Sequence, residues 1–174
     1  MRVVRTYLQL DRPAAAPAPP ALSGLSLRRL DPPTTEAYRR LYADVGGRWH
    51  WRDRDAWSDE RLRAHLEAPG VSVTVLRDGD EAAGYYELAH RPPAATADGR
   101  AEVELLYFGL RDRWLGRGLG RRLLEAAIAD AWRTNAERLV LNTCTLDHEA
   151  ALPNYLARGF RVTGTEEYEV ADAV

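Results

Sequence analysis

The stretch Trp114-Leu-Gly-Arg-Gly-Leu-Gly-Arg121 constrains the fold more than any other part of the chain. Before it lies a strand-like run, about Ala101 to Leu110. After it, Leu119, Leu123, Leu124, Ala127, Ile128 and Ala131 recur at the spacing of one helix face, which predicts a helix over about Gly116 to Thr134. Leu139 to Thr145 then reads as a buried strand. A strand, a helix and a second strand in succession predict a right-handed crossover and one parallel strand pair.

The rest of the chain fits around this unit. Val3 to Leu10 reads as a first strand, and residues 11–24 as an irregular Pro/Ala-rich segment, since closely spaced prolines forbid regular structure. Leu25 to Leu30 is a further short strand candidate. Tyr38, Leu41, Tyr42 and Val45 mark one face of a helix that Thr34 or Thr35 caps and Gly46-Gly47 end. Ser58 caps a second helix carrying Leu62 and Leu66. Val71, Val73 and Val75 alternate with smaller and polar residues as a strand does, Asp78-Gly79 signals a hairpin, and Ala82 to His90 returns. A short helix over about Glu149 to Ala157 and a strand over Phe160 to Val170 close the chain. The predicted class is α/β, with a mixed, mostly antiparallel sheet flanked by helices, and residues 1–174 are expected to form a single domain.

Composition narrows the chemistry. All 24 basic residues are Arg. A chain without lysine has neither the P-loop lysine nor a Schiff-base nucleophile. The net charge of −2 argues against nucleic acid or an anionic membrane as partner. The lone Cys144 forms no internal disulfide, no leader sequence is evident, and a reducing cytoplasm is the expected compartment. The four histidines lack metal-ligand spacing, so no metal is expected.

Glycines at alternate positions let the backbone approach a ligand closely. The amides of the first helical turn have no helical partners, and the helix dipole adds positive potential there. Gly116, Gly118 and Gly120, with Arg117 and Arg121, therefore predict an anion site suited to a pyrophosphate. Their spacing is not that of the dinucleotide-binding fingerprint.

Leu110 to Arg121 resembles the acyl-CoA loop of the Gcn5-related N-acetyltransferase (GNAT) superfamily, Q/R-x-x-G-x-G/A. With Gly118 and Gly120 on its two glycines, Leu115 stands where Gln or Arg is usual; the alternative register starts at Arg113. Ala151 to Phe160, ALPNYLARGF, is similar to the family's A-x-x-x-Y-x-x-x-G-F pattern. The resemblance runs over about Val71 to Val162. It implies a GNAT-type sheet whose parallel strands splay to bind acyl-CoA, acetyl-CoA as co-substrate, and transfer of an acetyl group to an amine. Phe108, Gly109, Leu110, Leu115, Gly116, Arg117, Gly118, Leu119, Gly120 and Arg121 are then the expected acetyl-CoA contacts.

The resemblance also implies roles. Glu104, six residues before Leu110, takes the place of a catalytic base, with Glu102 as the second candidate on the same strand face. Tyr155 takes the place of the general acid that protonates the leaving thiolate. The oxyanion donor is expected at a bulge near Phe108-Gly109-Leu110, where Gly109 interrupts the strand. The acceptor, a small-molecule or peptide amine, is expected against Trp49, Trp51 and one of Tyr86 and Glu87, which alternate on their strand so that at most one points into the pocket. A non-catalytic acyl-CoA sensor and a nucleotide-binding module are the competing readings. The Pro-rich segment either crosses to a second copy in a homodimer or lies as a surface loop.

Overall fold

The computed structural model describes residues 1–170. The last four residues of the expected domain lie outside them. The strands are β1 (Arg2–Asp11), β2 (Ser26–Arg29), β3 (Val71–Asp78), β4 (Glu81–Arg91), β5 (Glu102–Leu110), β6 (Arg138–Cys144) and β7 (Arg161–Glu169). The helices are α1 (Thr35–Gly46), α2 (Asp59–Leu66), α3 (Leu119–Ala131) and α4 (Ala151–Leu156). Thr34 and Ser58 cap α1 and α2 by accepting from Ala37 N and Arg61 N.

The strands form one sheet in the order β2-β3-β4-β5-β6-β1-β7. β5 and β6 make its parallel pair, and all its other pairs are antiparallel. The parallel ladder joins only Glu102–Glu104 to Arg138–Val140. β5 continues to Leu110 and β6 to Cys144 without pairing to one another, so the sheet opens there.

Alternation along the strands builds two cores. Tyr86 and Leu88 of β4 and Val103, Leu105 and Leu110 of β5 pack with Leu123, Leu124 and Ala127 of α3. On the opposite face, Val73, Val75 and Tyr85 meet Tyr38, Leu41, Tyr42 and Val45 of α1 and Leu62 and Leu66 of α2. Each fully buried leucine contributes roughly 2 kcal/mol through its apolar area.

The first strand is not an edge. β1 inserts between β6 and β7, pairing Arg5 through Asp11 with Cys144 through Arg138, and Arg2 through Gln9 with Glu169 through Arg161. Its connector to β2 has no regular structure and runs along α3. Arg12 donates to the carbonyls of Trp132, Thr134 and Ala136 past the end of α3, and Ala21 O accepts from Arg122 near its start. The two ends of the Pro-rich segment are thus tied to α3 of the same chain.

Two local expectations change. α3 begins at Leu119, because Gly116 and Gly118 adopt φ of +72° and +70°, which a right-handed helix excludes. The bulge in β5 is at Leu106, where the register passes from Leu88↔Leu105 to Glu87↔Tyr107. Gly109 pairs regularly with Tyr85. Its glycine identity has a steric cause: a Cβ there would lie 2.6 Å from Val45 Cγ1.

Candidate active site

The opening between β5 and β6 leads into a cleft of about 1250 Å³. Glu104, Tyr107, Phe108, Gly109 and Leu110 line it from β5, and Asn142 and Cys144 from β6. Leu115, Gly116, Gly118, Gly120 and Arg121 border it, as do Pro153, Asn154 and Tyr155 of α4. Arg5 of β1 and Met1 just ahead of it also line the cleft, which no linear pattern announced, because β1 reaches the cleft only through its place beside β6.

The glycine loop is built to expose amides. Gly118 precedes the first residue of α3 and supplies no side-chain cap. A Cβ at Gly116 or Gly118 would meet nothing within 4 Å, so what glycine provides there is the positive φ. The Asn154 amide donates to Gly120 O at 3.4 Å and ties α4 to the first turn of α3. Of the two loop arginines, Arg121 borders the cleft, whereas Arg117 lies over the Trp114 ring at 5.0 Å. Leu119 packs against the α3-side core rather than lining the cleft.

Glu104 is 17% exposed and pairs with Arg91 of β4. Burial raises its carboxyl above the usual range, and Arg91 works in the opposite direction. Glu102 is 9% exposed and is held by Arg138, whose Nη2 lies 2.7 Å away. It does not line the cleft, which separates the two candidate bases. Tyr155 is buried between Phe108 and Phe160, with ring centroids at 6.1 and 5.9 Å. Burial, then the charge of Asp147, pushes its phenol upward, so it stays protonated at neutral pH. Cys144 lines the cleft, and its amide donates at 2.9 Å to Asp147, which also accepts from Thr143.

The acceptor-wall residues divide. Trp49 and Trp51 line the cleft. The Trp49 ring lies 5.2 Å from that of His148, which joins the α1–α2 loop to the loop after β6. Arg48 beside it pairs with Asp112 at 3.0 Å. Trp51 packs against Tyr42 and Tyr107 at 5.7 and 4.9 Å and lies on Gly46, where a Cβ would come within 2.1 Å of its ring. Gly46 is thus the last residue of α1 and a seat for Trp51, not only a helix stop.

Tyr86 and Glu87 do not line the cleft, contrary to expectation. Tyr86 faces α3, where its hydroxyl donates to Asp130 at 3.3 Å, and burial raises its phenol to about 12. Glu87 is fully buried on the α1–α2 side. It accepts from Tyr38 at 2.5 Å, from His65 at 2.5 Å and from Arg54 at 3.1 Å. Arg54 in turn lies over the Trp57 ring at 3.8 Å and borders the cleft. Among the described residues, no group of three His, Cys, Asp or Glu is placed to hold a metal, and no helix is long and apolar enough to cross a membrane.

Backbone amides at the start of a 13-residue helix, left-handed glycines ahead of it and an unpaired stretch of β5 and β6 form a cradle that fits a pyrophosphate with an extended arm. Comparisons with known proteins agree with this form. A search of curated proteins finds no match. Solved structures similar to it include a GCN5-related N-acetyltransferase from Sphaerobacter thermophilus, with a TM-score of 0.64 and 18% identity over 94% of this chain and 49% of that one. A GNAT-family protein from Novosphingobium aromaticivorans has a TM-score of 0.62 and 17% identity over 96% of this chain and 63% of that one. The chain thus spans less than two thirds of either protein. An aminoglycoside acetyltransferase, meta-AAC0020, from an uncultured soil metagenomic sample has a TM-score of 0.62 and 16% identity, over 79% of this chain and 89% of that one. At these identities the likeness shows the fold. The model of the acetyltransferase (GNAT) family matches residues 35–160, most of the chain, which therefore belongs to the GNAT acetyltransferase family.

Proposed function

We propose that the chain is an acetyl-CoA-dependent N-acetyltransferase that acetylates a primary amine by direct attack. The observation that carries this reading is one cleft joining the glycine loop, the β5–β6 opening, Glu104 and Tyr155. Acetyl-CoA supplies the activated acetyl thioester. The amides of Gly120 and Arg121, at the helix start and bordering the cleft, receive its pyrophosphate, with Arg121 adding charge. The unpaired edges of β5 and β6 accept the extended arm. Backbone at the Leu106 bulge is freed from the ladder, and its N–H groups are the candidates to polarise the acyl oxygen.

Glu104 accepts the proton that the ammonium must lose before it attacks, directly or through one water. Tyr155, protonated at neutral pH, returns a proton to the departing sulfur. Trp49, Trp51, Tyr107 and Asp53 also border the cleft, and their aromatic faces and carboxylate suit an ammonium. The acceptor is a small-molecule or peptide amine. The structural relative that is an aminoglycoside acetyltransferase makes aminoglycosides one class to include among the candidates.

Purified protein, acetyl-CoA and a panel of amines, including amino acids, peptides, polyamines and aminoglycosides, test this by release of free thiol. Acceptor-dependent release supports transfer. A second reading, a non-catalytic acyl-CoA sensor, draws on the pairing of Glu104 with Arg91, which occupies the carboxylate. It predicts acetyl-CoA binding with no thiol release on any amine.

A further inference from the structure

We infer that Arg91 is a positioning residue of the transfer site, which fixes the Glu104 carboxylate and keeps it ionised. This rests on the reading of Glu104 as the base. In the β4–β5 ladder Arg91 stands opposite Glu102, and Ala89 opposite Glu104. The small Ala89 side chain leaves the diagonal open. The Arg91 guanidinium crosses it to contact Glu104 through Nη2, while its Nη1 lies 3.6 Å from Glu102. Diagonal neighbours on a sheet face come within reach when one side chain is long.

The division of charge makes the contact specific. Glu102 already has its own cation: Arg138 approaches it with Nε at 2.8 Å and Nη2 at 2.7 Å, and Asp98 completes that group. Arg91 is therefore left to answer Glu104. Without it, partial burial and the like charge of Glu102 would both favour a protonated Glu104. A protonated carboxyl cannot take a proton from an ammonium. The groups facing Glu104 are Arg91 from β4, Glu102 from β5 and, farther off, Arg54 from the α1–α2 loop, while β6 presents Val140. Arg54 is already committed to Glu87. Arg91 is the cation in direct contact.

The test does not need the acceptor. Protein labelled with ¹³C at the glutamate carboxyl carbons is titrated by NMR, with the Glu104 signal assigned by its loss in Glu104→Gln. In Arg91→Gln the Glu104 midpoint is expected to rise by about one pH unit, the low end for a contacting opposite charge because Arg91 is half-exposed and screened. Arg91→Lys should restore most of the difference. A midpoint that stays within about 0.3 unit of the parent in Arg91→Gln overturns the inference. So does a rise that Arg91→Lys leaves uncorrected, since that points to general loosening rather than charge. Turnover on the best amine of the panel is read in parallel. Arg91→Gln should lose more turnover near pH 6 than near pH 8.5, where Glu104 is ionised. A loss that is equal at both pH values overturns the charge-setting role. Full turnover in Glu104→Gln removes Glu104 as the base, and is a failure of the functional reading that leaves the NMR result standing.

Discussion

Glu87 Oε1 lies 3.1 Å from Arg54 Nη2, and neither side chain is more than 7% exposed. Tyr38 and His65 complete the set, so the Glu87 carboxylate holds one end of α1, one residue of α2 and the loop between them against β4. Removing one partner of such a pair leaves the other charge buried without compensation. Glu87→Ala is expected to destabilise the fold by about 3–5 kcal/mol. Tyr38→Phe, which leaves both basic partners in place, should cost about 1–2 kcal/mol. Urea unfolding of the three proteins measures both, and equal losses would contradict the central position of Glu87.

Gly118 sets the loop at the start of α3. Gly118→Ala must hold a left-handed residue at φ near +70°, a cost of roughly 1–2 kcal/mol, with open space around its methyl. Gly118→Asp adds a negative charge where the pyrophosphate is expected. Its acetyl-CoA affinity should fall more than about tenfold, and that of Gly118→Ala much less. Calorimetric titration with acetyl-CoA checks the order, and equal affinities would count against the loop as the phosphate site.

Tyr155→Phe should lower turnover while leaving acetyl-CoA affinity nearly unchanged. The hydroxyl has no hydrogen-bond partner among the described residues, and the ring packing with Phe108 and Phe160 survives the substitution. Stability should therefore change little. A fall in kcat and kcat/KM together, with Tm held, is the pattern of a contact made in the transition state; unaltered turnover would remove Tyr155 as the acid.

Arg12 closes the end of α3 by donating to three carbonyls past its last turn. Arg12→Ala should cost about 2 kcal/mol, the range for hydrogen bonds from a charged donor offset by partial exposure. Thermal melts measure this directly. A Tm equal to the parent's would show that the connector is held by other contacts.

Much of this architecture is legible before any tertiary information. The caps at Thr34 and Ser58, the stripe on α3 and the Asp78-Gly79 hairpin are signals within a few residues, and each element appears within a few positions of its expected ends. The parallel pair follows from strand, helix and strand in succession. Tyr86 and Glu87 show where this stops. Alternation along β4 states that they face opposite ways, and nothing local states what covers each face. α3 covers one and α2 the other, so neither reaches the cleft. Gly109 likewise reads as a break in a strand until Val45 is seen against it, and the bulge lies three residues earlier.

The sequence by itself determined the class of the sheet, the left-handed glycine turn ahead of α3 and the family resemblance, because these rest on short-range periodicity and on backbone freedom at Gly116 and Gly118. Only the tertiary structure decided that β1 lies between β6 and β7, that Glu87 is a buried anchor, and that Arg91 reaches Glu104 while Arg138 takes Glu102. Those relations are set by the pairing register of segments far apart in the chain. A shift of one residue in such a register turns every side chain to the other face.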